Sequence, residues 1–337
     1  MALEKQSKIL LPAIEAELKK QSARLDQTLT RPFLEMLTYH MGWSADGAKS
    51  EAQGKRIRPL LLLLSTAACA GGDWLRAVPA AAAVELIHNF SLVHDDIQDH
   101  SEKRHGRPTA WKIWGAPMAI NLGDALFVLS NLALLDLSGD YPPDIILRAT
   151  EILQSTCFDL TSGQFLDMAF ENETNVSIED YWTMIDGKTA ALISGSTGLG
   201  ALLGGADREQ LEQFQIFGRD LGLAFQVQDD ILGIWGNEAL TGKSAASDLV
   251  ARKKSLPVVY GLNRSKKFKT RWAAQIKSEE VRDIAQLLTE EGAYEFSKQE
   301  ENRLTHQALD ALQNAKPRGE AADSLLDLAN KLLNRDS

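Results

Sequence analysis

Apolar residues recur at helical spacing along nearly the whole chain, and no run of alternating β-branched residues bounded by turn pairs interrupts them. The pattern predicts an all-α protein. Short breakers separate the periodic segments: Gly71 with Gly72 and Asp73, Gly115 with Pro117, Pro142 with Pro143, and Gly204 with Gly205. The Ser177 hydroxyl precedes Asp180 by three residues, which predicts a capped helix start. Residues 78–93 and 190–203 are apolar nearly all round and belong at the centre of a large bundle. Residues 3–25 and 321–333 are more amphipathic and belong outside. No repeat or low-complexity tract divides the 337 residues, so 1–337 reads as a single all-α domain.

Two acidic pairs break this pattern where it is most apolar. The first lies in the string HDDIQD over 94–99, the second in FQVQDD over 225–230. Carboxylates drawn out of water are costly unless something positive meets them. Asp95 and Asp99 are four apart, hence one turn apart on one helix face, with Asp96 offset by a residue. Asp229 and Asp230 form a smaller cluster, because the position one turn beyond Asp229 is Gly233. Oxygen ligands of this kind suit Mg²⁺, which keeps several waters and completes its shell with substrate phosphates. The bland alternative is that each pair tops a solvent-exposed helix end. Its recurrence after an apolar stretch, with basic residues close by, argues for the metal reading.

Those basic residues stand beside helix breakers. Lys55 and Arg58 precede a Leu-rich helix with Pro59 in its first turn, and Arg104, His105 and Arg107 follow the first cluster. Lys188 and Thr189 follow Gly187, which interrupts an apolar helix, while Lys243, Lys253 and Lys254 follow the second cluster. Arg binds phosphate through a bidentate fork and Lys as a point charge.

Composition narrows the function classes. A formal net charge of −10 argues against nonspecific nucleic-acid binding. Cys69 and Cys157 are the only cysteines, which excludes a disulfide framework and a Cys/His zinc site and points to a reducing compartment. The apolar run 60–70 is too short to cross a bilayer, and no secretory core stands at the N-terminus. A cytoplasmic protein without an integral membrane segment is the expectation. The loop 236–248 superficially resembles a nucleotide phosphate loop, but five residues separate Gly236 from Gly242 where that motif has four, and no strand precedes it. The basic segment 266–271 reads as a solvated connector.

Taken in order, the motifs closely resemble those of the trans-isoprenyl diphosphate synthases, the polyprenyl synthetase family. They are GKRIRP over 54–59, HDDIQD over 94–99, Arg104 with Gly106 and Pro108, GQFLD over 163–167, GKT over 187–189, FQVQDD over 225–230, Gly242 with Lys243, Asp248 with Leu249, and KKSLP over 253–257. The likeness covers a core of about 50–262 and leaves the C-terminal helices of about 270–337 outside it. It implies a single helical bundle of the class I isoprenoid synthase type with a central active-site cavity, assembled as a homodimer. It also implies condensation of isopentenyl diphosphate with an allylic diphosphate (dimethylallyl, geranyl or farnesyl), aided by three Mg²⁺ ions per site. By resemblance, Asp95, Asp99 and Asp229 hold metal, with Asp96, Asp230 and Asp248 supporting. Arg104, Lys188, Lys243 and Lys253 hold the leaving diphosphate, and Lys188, Thr189 and Gln226 offer dipoles to the carbocation. Lys55, Arg58 and His88 take the second substrate, and the released diphosphate is the implied proton acceptor. His88 and His94 read equally as core histidines that satisfy backbone carbonyls.

Two positions depart from the family pattern. His105 stands where a second Arg is usual at the second-substrate subsite, with Arg107 or a protonated His105 as substitutes, and Gly233 stands where a third Asp is usual. Phe90, five residues before Asp95 and followed by the small Ser91, resembles the chain-length floor of geranylgeranyl diphosphate synthases, which implies a twenty-carbon product. Two rival readings stay open: a same-fold cyclase or lyase that uses no isopentenyl diphosphate, and a noncatalytic partner subunit of a heteromeric synthase.

Overall fold

The computed structural model describes residues 2–43, 54–69, 72–236, 247–274, 276 and 280–333, and within them the chain is helical almost throughout. It forms two compact units. The first comprises Met1–Ser155, Gly195–Glu212 and Lys316–Asp327; the second comprises Thr156–Ser194, Gln213–Ala315 and Leu328–Ser337.

In the first unit, helix α1 (Ala2–Ser22) buries Leu10, Ile14 and Leu18, a four-residue spacing that places them on one face. Helix α2 spans Arg31–His40. The chain enters α3 (Ile57–Ala68) through Gly54 and Arg56, both at positive φ (68° and 49°), with Pro59 in the first turn as expected. A non-glycine residue there is strained, and it persists because its side chain is held firmly. Arg56 is buried and donates to Glu15 and Glu85, each at 2.7 Å. Helix α4 (Val78–Gln98) is buried nearly all round from Ala80 to Ile87, as its apolar pattern predicts, and packs most extensively on α6. Between them lie a two-residue hairpin and the short helix α5 (Ala110–Trp114) before α6 (Ala116–Leu135).

The hairpin pairs Lys103–Arg104 with Arg107–Pro108. His105 and Gly106 form its turn at φ 50° and 74°, the backbone that two-residue hairpins need. Strands of two residues carry no alternation, so the hydrophobic pattern gave no sign of them. The pattern also misjudged the longest apolar run. Ala116–Gly139, not 60–70, is long and apolar enough to cross a membrane, although a core helix of a globular protein passes the same test. Asn121, Asp124 and Asn131 break the run in the sequence while sharing a helix with it.

Helix α7 (Pro143–Asn172) carries the chain into the second unit. There α8 (Ile178–Ile185) opens on the expected capping box: Ser177 Oγ accepts from the Asp180 N–H, and Asp180 Oδ2 accepts from the Ser177 N–H, both at 3.0 Å. A single π turn, Asp186–Ala190, joins α8 to α9 (Ala191–Leu203). Next come α10 (Arg208–Trp235), α11 (Ser247–Val250), α12 (Leu256–Arg264), α13 (Lys266–Ala273), α14 (Val281–Glu290), α15 (Ala293–Asn314) and α16 (Gly319–Leu333). Ile234, Leu249, Val258, Phe268, Trp272, Ile284 and Leu288 share one buried cluster in this unit. Full burial of a side chain such as Phe268 contributes about 1.5–3 kcal/mol over leaving it exposed. That cluster fixes the end of α10, where the second acidic pair stands.

Candidate active site

At the end of α4 the three aspartates fare differently. Asp95 is half-buried and Asp99 exposed, one turn apart on the same face. Asp96 points inward, where the Arg104 guanidinium grips it with Nε at 3.0 and 3.2 Å from the two oxygens and Nη2 at 2.9 Å. Burial raises the Asp96 carboxyl above its ordinary range, and Arg104 works against that rise. Asp96 therefore serves to hold the hairpin against α4, a role that residue spacing alone does not distinguish from its neighbour's.

In the same unit, Lys55 is exposed at the start of α3. Arg58 Nη1 lies 3.1 Å from His88 Nε2. A guanidinium can only donate, so Nε2 accepts and the ring proton sits on Nδ1. Burial first, and then Arg58, push the His88 imidazole well below its ordinary range, so it is neutral. Arg58 is itself lowered by burial, and among the described residues its buried Nε finds no hydrogen-bond partner. Nearby His40 also carries an unpartnered buried Nε2, and burial pushes its pKa down to about 4, with Arg104 adding to the shift. His105 sits exposed at the hairpin tip, and Arg107 lies over the Tyr39 ring at 3.9 Å.

Phe90 packs edge-on against His94 (centroids 4.9 Å apart) and against Phe127 on α6 (5.6 Å). Ser91 donates to the His88 carbonyl at 2.8 Å. His94 Nε2 lies 3.3 Å from the Ile120 carbonyl and is seated over Gly123, where a Cβ would come within 2.1 Å of it. His94 Nε2 also lies 3.8 Å from Asp124 Oδ1.

In the second unit the four carboxylates of Asp167, Asp229, Asp230 and Asp248 act on one ammonium. Burial works against the charge of Lys253, yet Asp230, Asp248, Asp229 and Asp167 hold it well above the ordinary lysine range. Asp229 is half-buried, whereas Asp230 is only 1% exposed and saturated with donors. Tyr181 Oη donates to its Oδ2 at 2.7 Å, the Leu256 N–H to Oδ2 at 2.8 Å, and Gln226 Nε2 to Oδ1 at 2.9 Å. Thr189 Oγ1 in turn donates to Gln226 Oε1 at 2.8 Å. Three of the expected residues, Thr189, Gln226 and Asp230, thus form one chain of hydrogen bonds. Tyr181 was not foreseen, although a hydroxyl on the buried face of α8 demands a partner.

Lys188 is paired with Asp167. It sits in the π turn, a local widening of the helix that recurs at functional sites. The turn is possible because two glycines meet: a Cβ at Gly163 would lie 2.1 Å from the Lys188 nitrogen, and one at Gly187 would lie 2.6 Å from the Asp159 carbonyl. What the sequence pattern shows as an interruption is thus a continuous helix with one extra residue. Lys243 lies outside the described residues.

Among the described residues no three His, Cys, Asp or Glu side chains are drawn together as a preformed metal cage. All-oxygen donors without a closed cage fit Mg²⁺, which is usually held by one or two carboxylates, water and substrate phosphates.

Residues 48–290 match the family described as polyprenyl synthetase. The chain is 42% identical over 269 residues to the geranylgeranyl diphosphate synthase of Mycobacterium tuberculosis, covering 79% of this chain and 76% of that protein. It is 37% identical over 335 residues to the (2E,6E)-farnesyl diphosphate synthase of Mycobacterium bovis, covering 96% and 91%. Its fold superposes with a TM-score of 0.84 on the geranylgeranyl pyrophosphate synthase from Corynebacterium glutamicum complexed with isoprenyl diphosphate and magnesium, at 26% identity and 99% coverage of each chain.

Proposed function

Because this chain belongs to the polyprenyl synthetase family, and is a trans-prenyl diphosphate synthase, we propose that it condenses isopentenyl diphosphate with a dimethylallyl, geranyl or farnesyl primer to give geranylgeranyl diphosphate. One observation carries the choice of a condensing enzyme over a cyclase or lyase. Arg58 is a half-buried guanidinium beside a neutral histidine, with an unsatisfied Nε and no carboxylate ion pair among the described residues. A buried cation left so calls for an anion, and this subsite is distinct from the aspartates that attract metal. Two anion subsites suit two diphosphate substrates; a cyclase or lyase needs one. Replacing Arg58 with Met should raise the KM for isopentenyl diphosphate about 10–100-fold, the loss of one charge-assisted bond, and spare that for the primer. An equal rise for both substrates would refute this assignment.

Asp95, Asp99 and Asp229 are the residues that would hold Mg²⁺, three ions per site, with Asp96, Asp230 and Asp248 in support. Bound magnesium supplies positive charge that stabilises the departing diphosphate more than the ground state. The chain's own cations do the rest. Arg104, Lys188 and Lys253 exchange part of their hold on Asp96, Asp167 and Asp230 for phosphate oxygens as the allylic carbon–oxygen bond breaks. The Thr189–Gln226 pair turns its dipoles toward the allylic cation, and Lys55 and Arg58 hold the second substrate for attack, which removes the entropic cost of their encounter. The departed diphosphate takes the proton lost from the new chain, the acceptor that the family resemblance implies.

Phe90 sets the product length, and its packing on Phe127 and His94 keeps the ring in place. With Phe90→Ala, chromatography of dephosphorylated products should reveal chains longer than twenty carbons; an unchanged profile would remove Phe90 from this role. The protein acts as a homodimer. Ile120, Val128 and Leu135 recur at about two-turn spacing on α6, and Val128 and Leu135 are 54% and 58% exposed. A second copy of this apolar face would cover them, and equilibrium sedimentation should give twice the chain mass; a monomer mass would contradict it. The two unbridged, buried cysteines support a cytoplasmic setting.

A further inference from the structure

Position 233 stands one turn beyond Asp229 on the same face of α10, where a side chain would join the acidic cluster. It carries none, and the room is already taken. A Cβ at Gly233 would lie 2.3 Å from Asp248 Oδ2, 2.5 Å from its Cγ and 3.0 Å from Oδ1. The carboxylate filling that space is buried, and it is set there from behind. Leu249 is anchored in the cluster with Val258 and Phe268, and the Lys253 N–H donates to the Asp248 carbonyl at 2.9 Å. Asp248 thus reaches the cluster from another segment, into the place that a residue on α10 would occupy.

We propose that Gly233 and Asp248 work as an exchanged pair: the glycine keeps a gap open on α10, and Asp248 delivers through it the third carboxylate that positions magnesium diphosphate. The inference rests on the reading that this cluster takes magnesium, and it assigns Gly233 a function by its missing atoms. A methyl group at 233 forces the Asp248 carboxylate to swing out, because a contact near 2.3 Å is far inside van der Waals distance. The α10 backbone, tied into its helix, gives less readily than a side-chain end.

Four variants test the pair: Gly233→Ala, Asp248→Ala, the double Gly233→Ala/Asp248→Ala, and the exchange Gly233→Asp/Asp248→Ala. Calorimetric binding of inorganic diphosphate in the presence of Mg²⁺ is the first readout. Gly233→Ala and Asp248→Ala should each weaken it about 10–100-fold, the usual range for a group that orients a metal site. The exchange variant should recover most of what Asp248→Ala loses. Metal-free thermal unfolding is the second readout: Gly233→Ala should lower the melting temperature of the parent and leave that of Asp248→Ala unchanged, since the colliding group is then gone. Binding by Gly233→Ala equal to the parent's would overturn the proposal. So would an exchange variant no better than Asp248→Ala, or the same melting loss in both backgrounds. A parent that binds no magnesium diphosphate would overturn both this and the metal reading; a parent that binds it, with unresponsive variants, overturns this pair alone.

Discussion

Truncating Asp95 or Asp229 to Ala is expected to lower turnover by about 10²–10³-fold, the scale on which single charge-stabilising groups act. Both residues are half-buried. Removing their direct neighbours should lower stability as well. Asp96 holds Arg104 through three contacts, and Asp230 accepts from Tyr181, Leu256 and Gln226. Removing Asp230 strands the buried Tyr181 and Leu256 donors, at about 1–3 kcal/mol for each, and removing Asp96 frees the half-buried Arg104 for water at a smaller cost. Melting curves and kinetics of the four Asp→Ala variants therefore separate the two kinds of aspartate. If Asp96→Ala and Asp230→Ala melt like the parent, or Asp95→Ala and Asp229→Ala turn over at the parent's rate, the division of roles is wrong.

The second large effect is expected from one methyl group. Gly163→Ala places a Cβ 2.1 Å from the Lys188 nitrogen, 2.6 Å from the Gly187 carbonyl carbon and 2.8 Å from the Lys188 Cα. All three are backbone atoms, and no rotamer change relieves them. The π turn must move away from α7, at a cost of about 1–3 kcal/mol for overpacking. The same movement carries Lys188 away from Asp167 and Thr189 away from Gln226. Gly163→Ala should therefore melt earlier and also lose kcat. A surface glycine such as Gly139, with nothing within 4 Å of an added Cβ, is the control that should change neither. Normal melting and normal kcat in Gly163→Ala would contradict the packing argument.

Much of this was legible in the sequence because it depends on local spacing. Helical periodicity anticipates the all-helical fold, the Ser177–Asp180 cap and the central placement of α4. The acidic pairs, Arg58 and the Gly187–Thr189 interruption were also visible as residues out of keeping with apolar surroundings. Orientation was not legible. Asp95 and Asp96 are adjacent, and only the fold turns one inward to Arg104. Arg56 shares a basic string with Lys55 and Arg58, yet its partners, Glu15 and Glu85, lie far off in the chain, so its structural role could not be read locally. Tyr181 and Asp230 meet across two helices, and Asp248 meets Gly233 across another such separation. The hairpin escaped because its strands are shorter than any alternating signal.

The most direct test of the central claim, that magnesium held by these aspartates drives prenyl transfer onto isopentenyl diphosphate, is incorporation of labelled isopentenyl diphosphate into an allylic primer, followed with Mg²⁺ present, chelated and restored. Labelled chains should accumulate at twenty carbons, cease on chelation and resume when Mg²⁺ is returned. Elongation that persists without divalent metal, or primer consumed with no label gained, would contradict it.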